Sequence, residues 1–130
     1  MNSNPTLTCC LFCKINPSNL AGEQGSVYAI PDTSPVSEGH VLIIPRRHCE
    51  TYFDLTAEER RDAHTLITRL RKKIMENDPL VTGFNIGVNC GETAGQTIFH
   101  THIHLIPRRE NDTPCPRGGV RGVIPDRMNY

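Results

Sequence analysis

The 130-residue chain has no tryptophan, and aromatic side chains make up only 5% of it. It also lacks net charge, because 14 basic and 14 acidic residues cancel. That balance excludes a polycation that coats nucleic acid and an acidic disordered tail. Long hydrophobic runs are missing as well. The longest aliphatic stretch, Val41-Leu42-Ile43-Ile44, is far too short to cross a bilayer, so neither nucleic acid nor a membrane is an expected partner. Between Met1 and Cys10 there is no basic-then-apolar leader, and no secretory signal is visible. Repeats and low-complexity segments are absent. Lysine is scarce, three against eleven arginines, a preference that suits phosphate recognition.

What is plentiful is histidine and cysteine, six of each. Cys9, Cys10 and Cys13 crowd together, while Cys49, Cys90 and Cys115 stand alone. An even count could mean disulfides in a small exported protein. Yet a domain of this length can bury roughly two-thirds of its unfolded surface and needs no staples. A reduced chain in the cytoplasm is the expected reading, with the isolated cysteines acting as small buried hydrophobes.

Length points to one domain over residues 1–130, with a loose polar N-terminus at residues 1–8. Asn16 to Gly25 reads as loop. Val27 to Ile30 and His40 to Ile44 read as strands, each closed by a proline. Thr56 and Glu59 then form a capping box, and Ala63, Leu66, Ile67, Leu70 and Ile74 follow at helical spacing. A helix of about twenty residues is predicted, ended by Asn77-Asp78-Pro79. Gly83–Asn89 alternates as a half-buried strand, and Thr97 to Pro107 is strand-like again. The Arg/Gly/Pro-rich tail, residues 108–130, is expected to be extended. Strands around one long helix make the fold class α+β.

The segment with the most chemistry is Gln96-Thr97-Ile98-Phe99-His100-Thr101-His102-Ile103-His104. On a strand, His100, His102 and His104 would share one face. One metal ion cannot easily take all three, because the outer two would lie roughly 13 Å apart at strand spacing. Separate roles are expected instead. Imidazole can be a nucleophile, a proton carrier or a phosphate-binding cation near neutral pH. Thr97 and Gln96, approached through Gly91 and Gly95, would supply donors to an oxyanion. His40 and His64 read as structural. A metal-dependent hydrolase built on the histidine strand is a rival reading.

The alternating histidines after Gly-Gln-Thr resemble the signature of the histidine-triad (HIT) family of nucleotide hydrolases and transferases. Cys10-Leu-Phe-Cys13-Lys-Ile, Asp32-Thr-Ser-Pro35, Gly39-His-Val-Leu-Ile-Ile-Pro45 and Asn89 extend the likeness over most of the chain. The tail stretch Arg117–Val123 resembles bacterial members that hydrolyse dinucleoside polyphosphates such as diadenosine tetraphosphate. Thr101 departs from the pattern, standing where a hydrophobic residue is usual.

The resemblance implies an antiparallel sheet of about five strands with one long helix, and a homodimer. It implies a covalent nucleotidyl-histidine on His102, with His104 binding phosphate. Asn89, Gln96 and Thr97 would contact the phosphates and leaving group, and Asp32 the ribose hydroxyls. Phe12, Ile15 and Ile30 would line the base pocket. No catalytic metal is implied, though magnesium could arrive with the substrate. Transfer of the nucleotidyl group to phosphate or sugar phosphate, or nucleotide binding without catalysis, are the alternatives.

Cys10-x-x-Cys13 is a knuckle that needs two further ligands to hold zinc, and buried thiols are its plain reading. In some HIT proteins and the related galactose-1-phosphate uridylyltransferases, the site is completed by a His after the Ile-Pro strand and by the first triad His. Those positions are His48 and His100, which implies a structural zinc.

Overall fold

The computed structural model describes residues 10–130; the expectation of a loose segment at residues 1–8 lies outside them. Five strands form one sheet: β1 (Gly22–Gln24), β2 (Val27–Pro31), β3 (Val41–Pro45), β4 (Val81–Gly87) and β5 (Ile103–Arg109). They lie in the order β1-β2-β3-β5-β4, and every neighbouring pair is antiparallel. The single long helix, α1 (Ala57–Asn77), runs between β3 and β4 in sequence. Thr56 caps it, accepting from the Glu59 N–H while the Glu59 carboxylate accepts from the Thr56 N–H. These bonds satisfy donors that the first helical turn leaves free. Arg47 then grips the buried Glu59 carboxylate through two nitrogens, at 2.8 and 3.1 Å.

The sheet buries both faces, and alternation decides what each receives. Val27, Ala29, Val41, Ile43, Ile103 and Leu105 pack with Ala63, Leu66 and Leu70 of α1. Tyr28, Ile30, Leu42 and Ile44 point the other way and pack with Cys10 and Phe12 of the N-terminal segment. Each side chain taken from water contributes on the order of 2 kcal/mol. On β5 the same alternation puts His104 on the face away from the helix, opposite Leu42 of β3 and Gly87 of β4.

Three segments differ from their sequence reading. Gly22–Gln24 is an edge strand rather than loop, and a Cβ on Gly22 would come within 3.3 Å of Leu66 and Leu70. The segment carries no apolar alternation; pairing with β2 makes it a strand. Second, β5 begins only at Ile103, so His100 and His102 precede the ladder instead of lying in it. There the Thr101 N–H bonds the Cys49 carbonyl at 2.8 Å rather than a neighbouring strand. Third, the tail is folded and not extended. Short 3₁₀ turns occupy Gly119–Val123 and Pro125–Arg127, and the guanidinium groups of Arg117 and Arg121 both lie against the Tyr130 ring.

Candidate active site

The three triad histidines are sorted by their neighbours. His100 is fully buried, with Nδ1 turned to the sulfurs of Cys10 (3.4 Å) and Cys13 (3.5 Å). His48 brings its own Nδ1 to 3.3 Å from Cys13. These four ligand atoms lie within 4.8 Å of one another. A tetrahedral zinc with ordinary bond lengths needs sulfur–nitrogen separations of about 3.5 Å, which the three measured distances match. The far nitrogen of His100, Nε2, lies 2.8 Å from the Pro45 carbonyl and donates to it. That bond fixes the tautomer whose Nδ1 lone pair faces the thiols, as metal-ligating histidines usually require. The residues fit the ion. With no metal, the Cys13 thiol is pushed up to about 11, by desolvation first and the Cys10 sulfur next.

At the other end, His104 meets His40. The His104 Nδ1 and His40 Nε2 atoms are 2.9 Å apart, and Asp32 Oδ2 is 3.4 Å from the same His40 nitrogen. The Val36 N–H donates to His40 Nδ1 at 3.2 Å. Since His40 Nδ1 is an acceptor, its proton sits on Nε2 and is given to His104 Nδ1. The proton of neutral His104 is therefore on Nε2, directed away from the pair. Burial is the main cause that holds both rings below their usual 6.5; neighbouring histidines add to this at His104, and Asp32 opposes it at His40. Asp32 is itself set in place by the Ser34 N–H at 2.7 Å.

His102 lies between these clusters. Its Nδ1 donates to the His100 carbonyl at 3.0 Å, which leaves the Nε2 lone pair uncommitted. Phe12 stands edge-on against the His102 ring with centroids 5.0 Å apart, and the His104 ring is 5.3 Å away. Ile15 and Ile30 pack in the same apolar cluster as Phe12. Asn89 lines a cavity of about 430 Å³ together with His40 and His104. Thr97 is exposed at the end of the approach loop.

Gln96 has a different job from the one expected. Both hydrogens of its amide are used, by the carbonyls of Glu50 (2.6 Å) and Ile98 (3.1 Å), and its oxygen accepts from the Gly91 N–H. Buried and saturated as a donor, the side chain braces the loop from Gly91 to Gly95 and is not free to donate to a phosphoryl oxygen. His40, read as structural from the sequence, lies beside His104 and Asp32, a placement that sequence reasoning missed. The available signal was parity: His40 lies two positions before Leu42, whose partner across the sheet is His104.

A family model described as HIT domain matches residues 14–111. Among curated relatives, adenylylsulfatase HINT3 of Arabidopsis thaliana is 40% identical over 112 residues, which cover 79% of this chain and 54% of that protein. The adenosine 5'-monophosphoramidase HNT1 of Candida albicans is 35% identical, over 80% of this chain and 73% of its own. Among solved structures, a Zn-bound histidine triad family protein from Mycobacterium smegmatis superposes with a TM-score of 0.74 at 31% identity, covering 83% of this chain and 81% of the other. The matched span begins just after the cysteine knuckle and runs through the triad past the end of β5, and the chain belongs to the histidine-triad (HIT) domain family.

Proposed function

We propose that this chain is a nucleotide hydrolase of the HIT type, working through a covalent nucleotidyl-histidine on His102. The observation that carries the reading is the bond from His102 Nδ1 to the His100 carbonyl, because it presents Nε2 as a ready nucleophile. In the first step the Nε2 lone pair forms a bond to the α-phosphorus. The bond from phosphorus to the leaving group breaks, and its electron pair departs with that group. A proton from solvent neutralises the departing atom. In the second step water attacks the same phosphorus and the phosphorus–nitrogen bond breaks. His102 regains its lone pair, and the water's proton is released.

The surrounding residues position this exchange. His104, held by His40, directs an N–H toward the phosphoryl oxygens, where charge accumulates. Asn89 and Thr97 contact the phosphates and leaving group, Asp32 takes the ribose hydroxyls, and Phe12, Ile15 and Ile30 receive the base. Gln96 serves by holding the loop in shape. Cys10, Cys13, His48 and His100 hold a structural zinc that ties the N-terminal segment to the residues beside the nucleophile. Magnesium enters with the substrate. The chain works as a cytoplasmic homodimer.

Both named relatives act on an adenylyl group carried by different leaving groups, which supports AMP as the transferred nucleotide. A dinucleoside polyphosphate such as diadenosine tetraphosphate is the substrate we favour. The test is mass spectrometry of acid-labile adenylate on His102, with His102→Ala as control. Turnover should fall by about a thousandfold or more in the variant, with AMP still bound. An unchanged rate overturns the mechanism. Added phosphate or sugar phosphate that captures the adenylyl group would assign a transferase instead.

A further inference from the structure

Phe12 joins the proposed base pocket to the nucleophile. Its ring stands 5.0 Å from that of His102, and with Ile15 it lines a cavity of about 410 Å³. The ring is carried by a short 3₁₀ turn, Leu11–Lys14, in which Phe12 alone is buried. A turn of this length has little stability of its own, and no side chain caps its start at Cys10. What fixes it must therefore come from outside the turn.

Cys10 and Cys13 pin the two ends, beside His100 and His48. Two anchors leave a segment free to swing about the line that joins them, and a third between them stops the swing. Tyr28 is that third anchor: its hydroxyl donates to the Phe12 carbonyl. The tyrosine is buried on β2, paired with Glu23 of β1 and Ile44 of β3, and it lines the same cavity. The Arg46 guanidinium lies over its ring, 5.5 Å from the centroid. Arg46 is in turn held by the Gly25 carbonyl at 3.1 Å and the Glu23 carboxylate at 2.6 Å. The hydroxyl is thus delivered by a side chain packed into the sheet, and neither the catalytic steps nor the zinc ligands use it.

We infer that Tyr28 is a positioning residue for the substrate's base, a role that rests on the nucleotidyl transfer proposed above and deepens it at the base pocket. By holding the Phe12 carbonyl, Tyr28 fixes the aromatic wall that receives the base, and it does so without touching the substrate. The hydroxyl is the part that matters. Phenylalanine at position 28 would keep the packing under Arg46 but leave the buried Phe12 carbonyl without its donor. Only ligands that carry a base should sense the change, because the ribose and phosphates are met by Asp32 and His104.

The experiment measures the affinity of Tyr28→Phe for AMP and for ribose 5-phosphate, which is AMP without its base. AMP should bind about five- to tenfold more weakly than to the unaltered protein, the value of one lost hydrogen bond, and ribose 5-phosphate should change by less than about twofold. An unchanged AMP affinity, or an equal loss for both ligands, overturns the inference. In turnover of diadenosine tetraphosphate, KM should rise by the same factor while kcat holds to within about twofold, the pattern of binding lost equally in ground and transition states. A hydroxyl that merely stabilises the fold would instead lower Tm and the active fraction, so a fall in kcat at constant KM also overturns it. A second variant, Phe12→Leu, removes the aromatic wall itself. On that background Tyr28→Phe should cost AMP less than about twofold, because its effect runs through the ring; the full penalty there overturns the coupling. Binding does not require chemistry, so the two readings fail separately. An unaltered protein that binds AMP but never adenylates His102 loses the catalytic mechanism and still decides the role of Tyr28. One that does not bind AMP overturns both.

Discussion

His100 and His104 are the same residue type four positions apart, yet they work in opposite surroundings. His100 faces two thiols and a third nitrogen, a soft and closed set that suits zinc. His104 faces an imidazole whose same Nε2 also lies 3.4 Å from the Asp32 carboxylate, an arrangement that makes His104 Nδ1 an acceptor and puts its proton on Nε2. The imidazole supplies two nitrogens in both cases, and the neighbour that binds one of them decides what the other can do. His102 sits between, with a backbone carbonyl as its only fixed partner among the described residues, and so keeps a lone pair for chemistry.

The comparison can be broken from either end. The largest effect is expected at the thiol end. Cys13→Ser should remove bound zinc and lower Tm by about 10 °C, roughly 3 kcal/mol for a chain of this size. Metal analysis and calorimetry check it, and less than half an equivalent of zinc in the unaltered protein would remove the basis of the prediction. A chelator should likewise cost stability before activity. Immediate loss of turnover without unfolding would instead favour a catalytic ion, held by Asp32, His40 and His104.

At the imidazole end, His40→Ala should lower kcat by about a hundredfold, the lower end of the range for a positioned proton-handling group. Tm should move far less than in Cys13→Ser. Equal losses of stability in the two variants would show that His40 merely packs.

Acid should sharpen the difference further. Burial holds His40 and His104 below 6.5 in the folded protein, so the unfolded chain binds protons first as pH falls. Their contribution to stability is complete above pH 6.5 and is lost as pH drops from there toward the folded-state values. The urea midpoint should therefore fall between pH 7.5 and pH 5.5, and by less in His40→Ala, which removes one of the two groups. A fall of the same size in both proteins would count against the assignment.

The smallest effect lies between the two ends. Thr101 is buried, and its hydroxyl is the one buried side-chain polar atom without a partner among the described residues. Thr101→Val should raise stability by up to about 1 kcal/mol, because it removes an unmet hydrogen-bonding group at constant shape. Thermal unfolding measures it, and unchanged turnover would agree with a side chain that points away from the chemistry.

Much of this architecture was legible in the residues. The Thr56–Glu59 box and the apolar period set the start and the buried stripe of α1, since helix signals act within one or two turns of chain. The run His40 to Ile44 reads as a strand, and β3 occupies Val41–Pro45. Cys10, Cys13, His48 and His100 were expected as zinc ligands through family likeness, and the fold brings all four together. Local order was enough for these features.

Tertiary structure alone decided the rest. Gly22–Gln24 becomes a strand only because β2 lies beside it. Gln96 is spent on backbone groups as far away as Glu50, a demand invisible in its own neighbourhood. His40 meets His104, 64 residues on, through the register that pairs Leu42 with that histidine. The tail comes beside His104 and Asn89 only by folding back over β4. Propensity and periodicity report forces between residues a few positions apart. The partner of an imidazole nitrogen, by contrast, is chosen by strand register and chain reversal, which exist only once the sheet has formed.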